Sequence, residues 1–178
     1  MLIGVRRPGE LNPDQDIAMR RTKGFSLIEL LLVVALILIL VAIAVPSFLR
    51  SRMAANESSA AESIRTLNTA QITYNSAYPT VGFAATLGAL GGDTANCTPP
   101  SSAHACLIDD ALASGSKSSY SFTIINVTGT PNSTYNAIGS PSTFNYSGMR
   151  YFCSYSDAVV RVSMSPISTC DNTVAPQN

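Results

Sequence analysis

Residues 25–45 read FSLIELLLVVALILILVAIAV, a run of 21 with Glu29 as the single charge. As a helix rising 1.5 Å per residue, it matches the hydrocarbon thickness of a bilayer. A segment apolar on every face needs lipid or other apolar helices around it. Glu29 is the anomaly. A carboxylate at the centre of a bilayer is disfavoured by about 2.5–3.5 kcal/mol on insertion scales, so its position calls for a role.

The rest of the composition follows from this segment. Charged residues make up 12% of the 178 and hydrophobic ones 46%, and that charged fraction is roughly half the level of soluble domains. The net charge is zero, and nothing points to nucleic acid as a partner. The charge is unevenly spread. Residues 1–24 hold Arg6, Arg7, Arg20, Arg21 and Lys23 against Glu10, Asp14 and Asp16. From Phe25 onward, six basic residues stand against eight acidic ones. Basic residues ahead of a span predict a cytoplasmic N-terminus and an outward C-terminal domain. Residues 1–18 lack periodicity and contain two prolines, so they read as disordered or as a misplaced start. Met19 opens the more economical leader MRRTKG and is the expected initiator. The Arg6-Arg7 pair is followed by no apolar stretch and is not read as a twin-arginine signal.

Beyond Pro46 a helical rhythm continues. Leu49, Met53, Ala60, Ile64, Leu67, Ala70, Tyr74 and Tyr78 recur mostly three or four apart, with Arg50, Arg52, Asn56, Glu57, Glu62 and Arg65 between them. Helix is therefore expected from Phe25 to about Tyr78, with a break at Pro46, where one backbone donor is lost. Pro79 closes it. Residues 80–118 read as a connecting loop with a short helix near 108–113. Strands are expected at 120–127, 134–138, 150–155 and 158–164, the second broken by 139–141. Such an antiparallel meander buries one face, and the helix 47–78 offers the stripe to cover it. Four cysteines, Cys97, Cys106, Cys153 and Cys170, lie beyond the span. An even count there points to disulfides formed outside the cytoplasm. Three connectivities are open, of which Cys97–Cys106 and Cys153–Cys170 close the shortest loops. Zinc is the rival reading, weakened by the lack of a C-x-x-C pair and by the single histidine, His104.

The stretch Lys23-Gly24-Phe25-Ser26-Leu27-Ile28-Glu29-Leu30 resembles the processing site of type IV pilins and of the related type II secretion pseudopilins. The resemblance covers about residues 20–50, and Pro46 falls where many members carry a helix-breaking proline. It implies an α+β lollipop: a long N-terminal helix, its apolar half transmembrane, packed by its second half on a C-terminal antiparallel sheet of about four strands. Residues 1–24 would be a leader removed on processing, 25–46 the transmembrane and fibre-core helix, and 47–78 an amphipathic half-helix. Residues 79–118 would be a connecting loop, and 119–178 the sheet and C-terminal disulfide region. A prepilin peptidase would cut between Gly24 and Phe25 and methylate the new amino group of Phe25. Glu29 would then pair with that amine on a neighbouring subunit. The implied partners are the peptidase, identical or related pilin subunits, the inner-membrane assembly machinery and, before assembly, the membrane itself. The place would be the bacterial inner membrane and then an extracellular pilus. No cofactor or metal is implied.

Other readings stand beside this one. A type II secretion pseudopilin shares the motif. A signal-anchored periplasmic binding domain is the reading of a different class, and Ala42-Ile43-Ala44 imitates its cleavage site. Enzyme chemistry finds little support. His104 lacks partners, Asp109-Asp110 reads as a helix cap, and no G-x-S-x-G occurs. Tyr74 and Tyr78 read as packing residues between helix and sheet.

Overall fold

The computed structural model describes residues 24–92 and 97–177. The leader and the alternative start at Met19 lie outside the described residues. The chain divides into two compact units, Met1–Ala42 and Ile43–Asn178. Helix α1 runs over Leu27–Ala77. In the first unit every described residue is solvent-exposed, and Leu27 reaches 82%.

Pro46 lies inside α1. The break expected there is not an interruption of the helix. Proline's fixed φ is itself helical, and it removes one hydrogen bond while the turns on either side keep theirs. The helix ends where the sequence says it must, since a residue before proline is driven out of the helical region. Its last turn closes with Tyr78 N–H donating to the Tyr74 carbonyl at 2.8 Å.

In the second unit α1 buries Ala60, Ala61, Ile64, Leu67, Ala70 and Tyr74. These recur on one face and meet Tyr120, Phe122, Tyr135, Ala137 and Phe152 in one core. The latter belong to a five-stranded antiparallel sheet in simple chain order: β1 (Ser116–Lys117), β2 (Tyr120–Gly129), β3 (Asn132–Pro141), β4 (Tyr151–Tyr155) and β5 (Arg161–Ser163). The short β1 joins the four strands read from the sequence, and β5 is shorter than the run 158–164.

Two expectations about β3 are corrected. Gly139 does not break the strand. It pairs with Phe122, and a Cβ there would press on the Phe122 ring at 3.0 Å and lie 3.6 Å from Ile64. The missing side chain lets strand and helix approach closely. Nor does the sheet bury one face only, because residues 135–139 are all buried. Ala137 faces the α1 core, while its neighbour Ile138 packs with Cys153 and Cys170 in a second cluster with Ile125, Ile167 and Val174. The C-terminal segment thus covers the face that helix leaves open.

The connecting region 79–118 is folded into the core over its described residues. Ala84, Leu87, Leu90, Ala105, Ile108 and Leu112 are buried. It holds two one-turn helices, α2 (Leu87–Leu90) and α3 (Asp110–Ala113). Asp109 caps α3 by accepting from Leu112 N–H at 2.8 Å. Its carboxyl is held below the usual range, first by the hydrogen bond from Lys117 and then by the Leu112 amide.

Candidate functional site

From Gly24 to Leu30 the N-terminal motif is exposed. Gly24 is exposed, and a Cβ built on it would meet nothing within 4 Å. Phe25 is 77% exposed. The first helical hydrogen bond of α1 runs from Leu30 N–H to the Ser26 carbonyl at 3.2 Å. This leaves Gly24 and Phe25 ahead of the helix and Glu29 in its first turn. An acidic group there is favoured by the unpaired amides and positive dipole end of the helix. Glu29 is therefore tolerable at this end of the apolar run, close in sequence to where a new amine at Phe25 would stand.

The face of α1 on the second unit carries polar residues that act as fasteners. Gln71 is fully buried. Its amide donates to the Ala84 carbonyl at 3.0 Å and accepts from Ala84 N–H at 2.8 Å, so a side chain supplies the pairing a strand would. Asn68 donates to the Ala158 carbonyl at 2.9 Å and accepts from the Tyr135 hydroxyl at 3.2 Å. The Tyr74 hydroxyl donates to the Ser102 carbonyl at 2.6 Å. Tyr74 thus fastens the connecting region as well as packing in the core. Burial pushes the Tyr120 and Tyr135 phenols up, so both stay neutral.

The cysteines form two pairs, Cys97–Cys106 and Cys153–Cys170, with Cα separations of 5.8 and 5.9 Å. The second fastens the C-terminal segment to β4, beside Arg161. The Arg161 guanidinium is buried, holds Asp157 through two hydrogen bonds at 3.0 and 2.6 Å, and lies 4.4 Å over the Tyr155 ring. It also donates to Asn172 Oδ1 at 3.2 Å, which ties β5 to the C-terminal segment. Burial pushes the Asp157 carboxyl up, but the hydrogen bonds from Arg161, the Val159 amide and the Tyr155 hydroxyl together with the Arg161 charge outweigh it, and the net displacement is downward. Among the described residues, no group of three or more His, Cys, Asp or Glu side chains is placed to hold a metal ion. His104 is half-buried, and its backbone pairs with Ser101.

Sequence reasoning missed Gln71, Asn68, Asn56 and Glu57, all of which fasten loops. They lie within the helical pattern as ordinary polar positions. The available signal was Gln71 and Asn68 falling on the apolar stripe, beside Leu67 and Ala70.

An accessible glycine, a following phenylalanine and a glutamate open a long apolar helix, with an α+β unit beyond. The description "Prokaryotic N-terminal methylation motif" matches residues 19–45. The chain is 47% identical over 51 residues to the "Type IV major pilin protein PilA" of Myxococcus xanthus, which covers 29% of this chain and 23% of that protein. It is 54% identical over 39 residues to the "Type IV wide pilus major component PilA4" of Thermus thermophilus, covering 22% of this chain and 30% of that one. The matches thus span less than a third of either relative. No solved structure matches the chain significantly. The motif and these relatives support membership of the type IV pilin family.

Proposed function

We propose that this chain is a structural subunit of a type IV pilus-like filament. The observation that carries the reading is the wholly exposed apolar segment of α1, led by Gly24 and Phe25 and bearing Glu29 in its first turn. A segment apolar on every face needs apolar neighbours. Lipid supplies them before assembly, and the same segments of other subunits do so afterwards.

Prepilin peptidase cuts the Gly24–Phe25 bond. The glycine leaves its backbone open to the protease cleft, and its exposed position makes the bond reachable. The product carries a cationic amine on Phe25, which the same enzyme methylates. In the inner membrane Glu29 is a costly charge. In the filament it meets the Phe25 amine of a neighbouring subunit, and desolvation of both charges is offset only when both are present. The pair therefore sets the register of each added subunit. Head-to-tail contacts that do not close on themselves propagate as a helical fibre. The assembly machinery of the inner membrane extracts the subunit, and the finished pilus is extracellular.

The test is the mass of the N-terminal peptide in material sheared from intact cells. A peptide starting at methylated Phe25 in that fraction is expected. A processed peptide confined to the envelope would point instead to a type II secretion pseudopilin. A chain still carrying MRRTKG, or cut after Ala44, would overturn the reading in favour of a signal-anchored periplasmic domain.

A further inference from the structure

The loop 142–150, between β3 and β4, is fixed against α1. Asn56 donates to the Ser147 carbonyl at 2.9 Å. Glu57 accepts from the Met149 and Arg150 amides at 2.8 and 3.2 Å and pairs with the Arg150 guanidinium at 3.4 Å. The Arg52 guanidinium lies 5.9 Å over the Tyr146 ring. The loop is also braced from within. The Ser147 hydroxyl bonds both backbone groups of Thr143, and the Tyr120 hydroxyl donates to the Arg150 carbonyl at 2.9 Å.

This fixed loop nevertheless turns Phe144, Tyr146 and Met149 outward, with Tyr146 59% exposed. Met164 joins them at 62%, since its neighbour Ser163 pairs with Tyr151 just past the loop. On α1, Phe48 stands one turn before Arg52 and Leu49 one turn before Met53, and both are exposed. An apolar strip therefore continues from the loop onto the end of the apolar run. Its border is basic: Arg50 and Arg52 are exposed, and the nearby acid, Glu57, is already paired with Arg150.

We propose that this strip rests on the headgroup layer of the bilayer before assembly. Phe144, Tyr146 and Met149 enter that layer, while Arg50 and Arg52 bind the phosphates of anionic phospholipids. The inference rests on the membrane residence set out under the proposed function. A 21-residue apolar run spans about 31 Å at 1.5 Å per residue, which fills the hydrocarbon core. Arg52 then stands about 10 Å beyond Val45 at the same rise, while the headgroup layer extends roughly 5–8 Å beyond the core. A helix tilt of about 20°, the common value, lowers one side of the unit towards it. Aromatic rings and arginines are the side chains that settle at this depth.

The chain contains no tryptophan, so one introduced at a time reports one place. The full chain carrying Tyr146→Trp, Phe48→Trp or Ile72→Trp is reconstituted in phosphatidylethanolamine–phosphatidylglycerol vesicles. The lipids carry bromine on the acyl chains or a nitroxide on the headgroup. The indole at 48 is expected to lose emission to bromine, the one at 146 to lose emission to the nitroxide, and the one at 72 to neither. Quenching at 146 weakens in phosphatidylcholine alone, or when Arg50→Gln and Arg52→Gln are added; quenching that ignores both changes overturns the anionic-lipid assignment. Quenching at 48 without quenching at 146 overturns the proposal and leaves membrane residence standing. No quenching at 48 overturns both. Emission at 146 that is blue-shifted, unquenched and reddened by dilution in lipid assigns the strip to a second copy and also overturns the proposal.

Discussion

Gln71→Met tests whether a single side chain fastens the connecting region to α1. Methionine keeps nearly the same volume, so the cavity term is small and the change is mainly the loss of two hydrogen bonds. Both lost partners belong to Ala84, which is fully buried. Each backbone group left unsatisfied costs about 1–3 kcal/mol. Removing the buried amide of Gln71 returns part of this, because that amide no longer has to be desolvated. The expected net loss is about 2–3 kcal/mol, a large share of the 5–15 kcal/mol typical of a domain. At roughly 2–4 °C per kcal/mol for a domain of this size, the melting temperature falls by about 4–12 °C. The assay is thermal unfolding of the full chain in detergent, followed by the near-ultraviolet dichroism of its tyrosines. Those signals report the second unit, since all seven tyrosines lie in it. Thr69→Ala, at an exposed position of the same helix, serves as the reference and is expected within about 0.5 kcal/mol of the parent. If Gln71→Met also stays within that margin, the pairing with Ala84 does not hold the region in place.

Three further perturbations separate processing, assembly and stability. Gly24→Val is expected to abolish cleavage without changing the melting temperature, because a Cβ there meets nothing; the intact mass of the chain reads the first effect and dichroism the second. Glu29→Ala is expected to insert and be cut at Phe25 yet yield no fibre, read by the N-terminal peptide in the envelope and the sheared fraction; normal fibre yield would refute the pairing role. Replacing Cys153 and Cys170 by serine removes a cross-link between residues 17 apart and is expected to cost about 3 kcal/mol, against about 2.5 for the shorter Cys97–Cys106 loop, on the loop-entropy estimate; denaturant midpoints rank them. Acid unfolding follows from Asp109 and Asp157, both displaced downward by their hydrogen bonds, led among these by the ones from Lys117 and Arg161. A depressed carboxylate stabilises fully above its unfolded pKa, near 4, and that contribution is lost as pH falls through the lower folded value. The melting temperature should therefore drop on acidification below about pH 4, and Lys117→Met with Asp157→Asn should flatten that limb.

The segments legible in the sequence share one property: their signal is local or strictly periodic. The apolar run, the stripe through Ile64, Leu67 and Tyr74, and the alternation of Tyr120 and Phe122 each follow from a repeat of 3.6 or 2 residues. Pro79 ended α1 for a reason confined to adjacent peptide units. Pro46 was misread because the same local rule gives a cost without giving the strength of the turns around it. Gly139 was misread in the opposite sense. A glycine two residues before a proline looks like a strand end, while the fold uses the glycine for the approach of Phe122 and Ile64.

The remaining features concern partners far apart in the chain. Nothing around Gln71 names Ala84, and nothing around Asn56 or Glu57 names a loop some 90 residues later. A buried amide and a solvated one have the same letters, and only the neighbour brought to them by folding tells them apart. The double-sided burial of β3 likewise depends on a C-terminal segment that no periodicity in β3 announces. The sequence by itself determined that a 21-residue segment apolar on every face needs lipid or other apolar helices around it, because none of its faces is suited to water. Tertiary structure alone decided which polar side chains fasten the second unit to its helix, because hydrogen bonds depend on the meeting of two groups and not on the identity of either one.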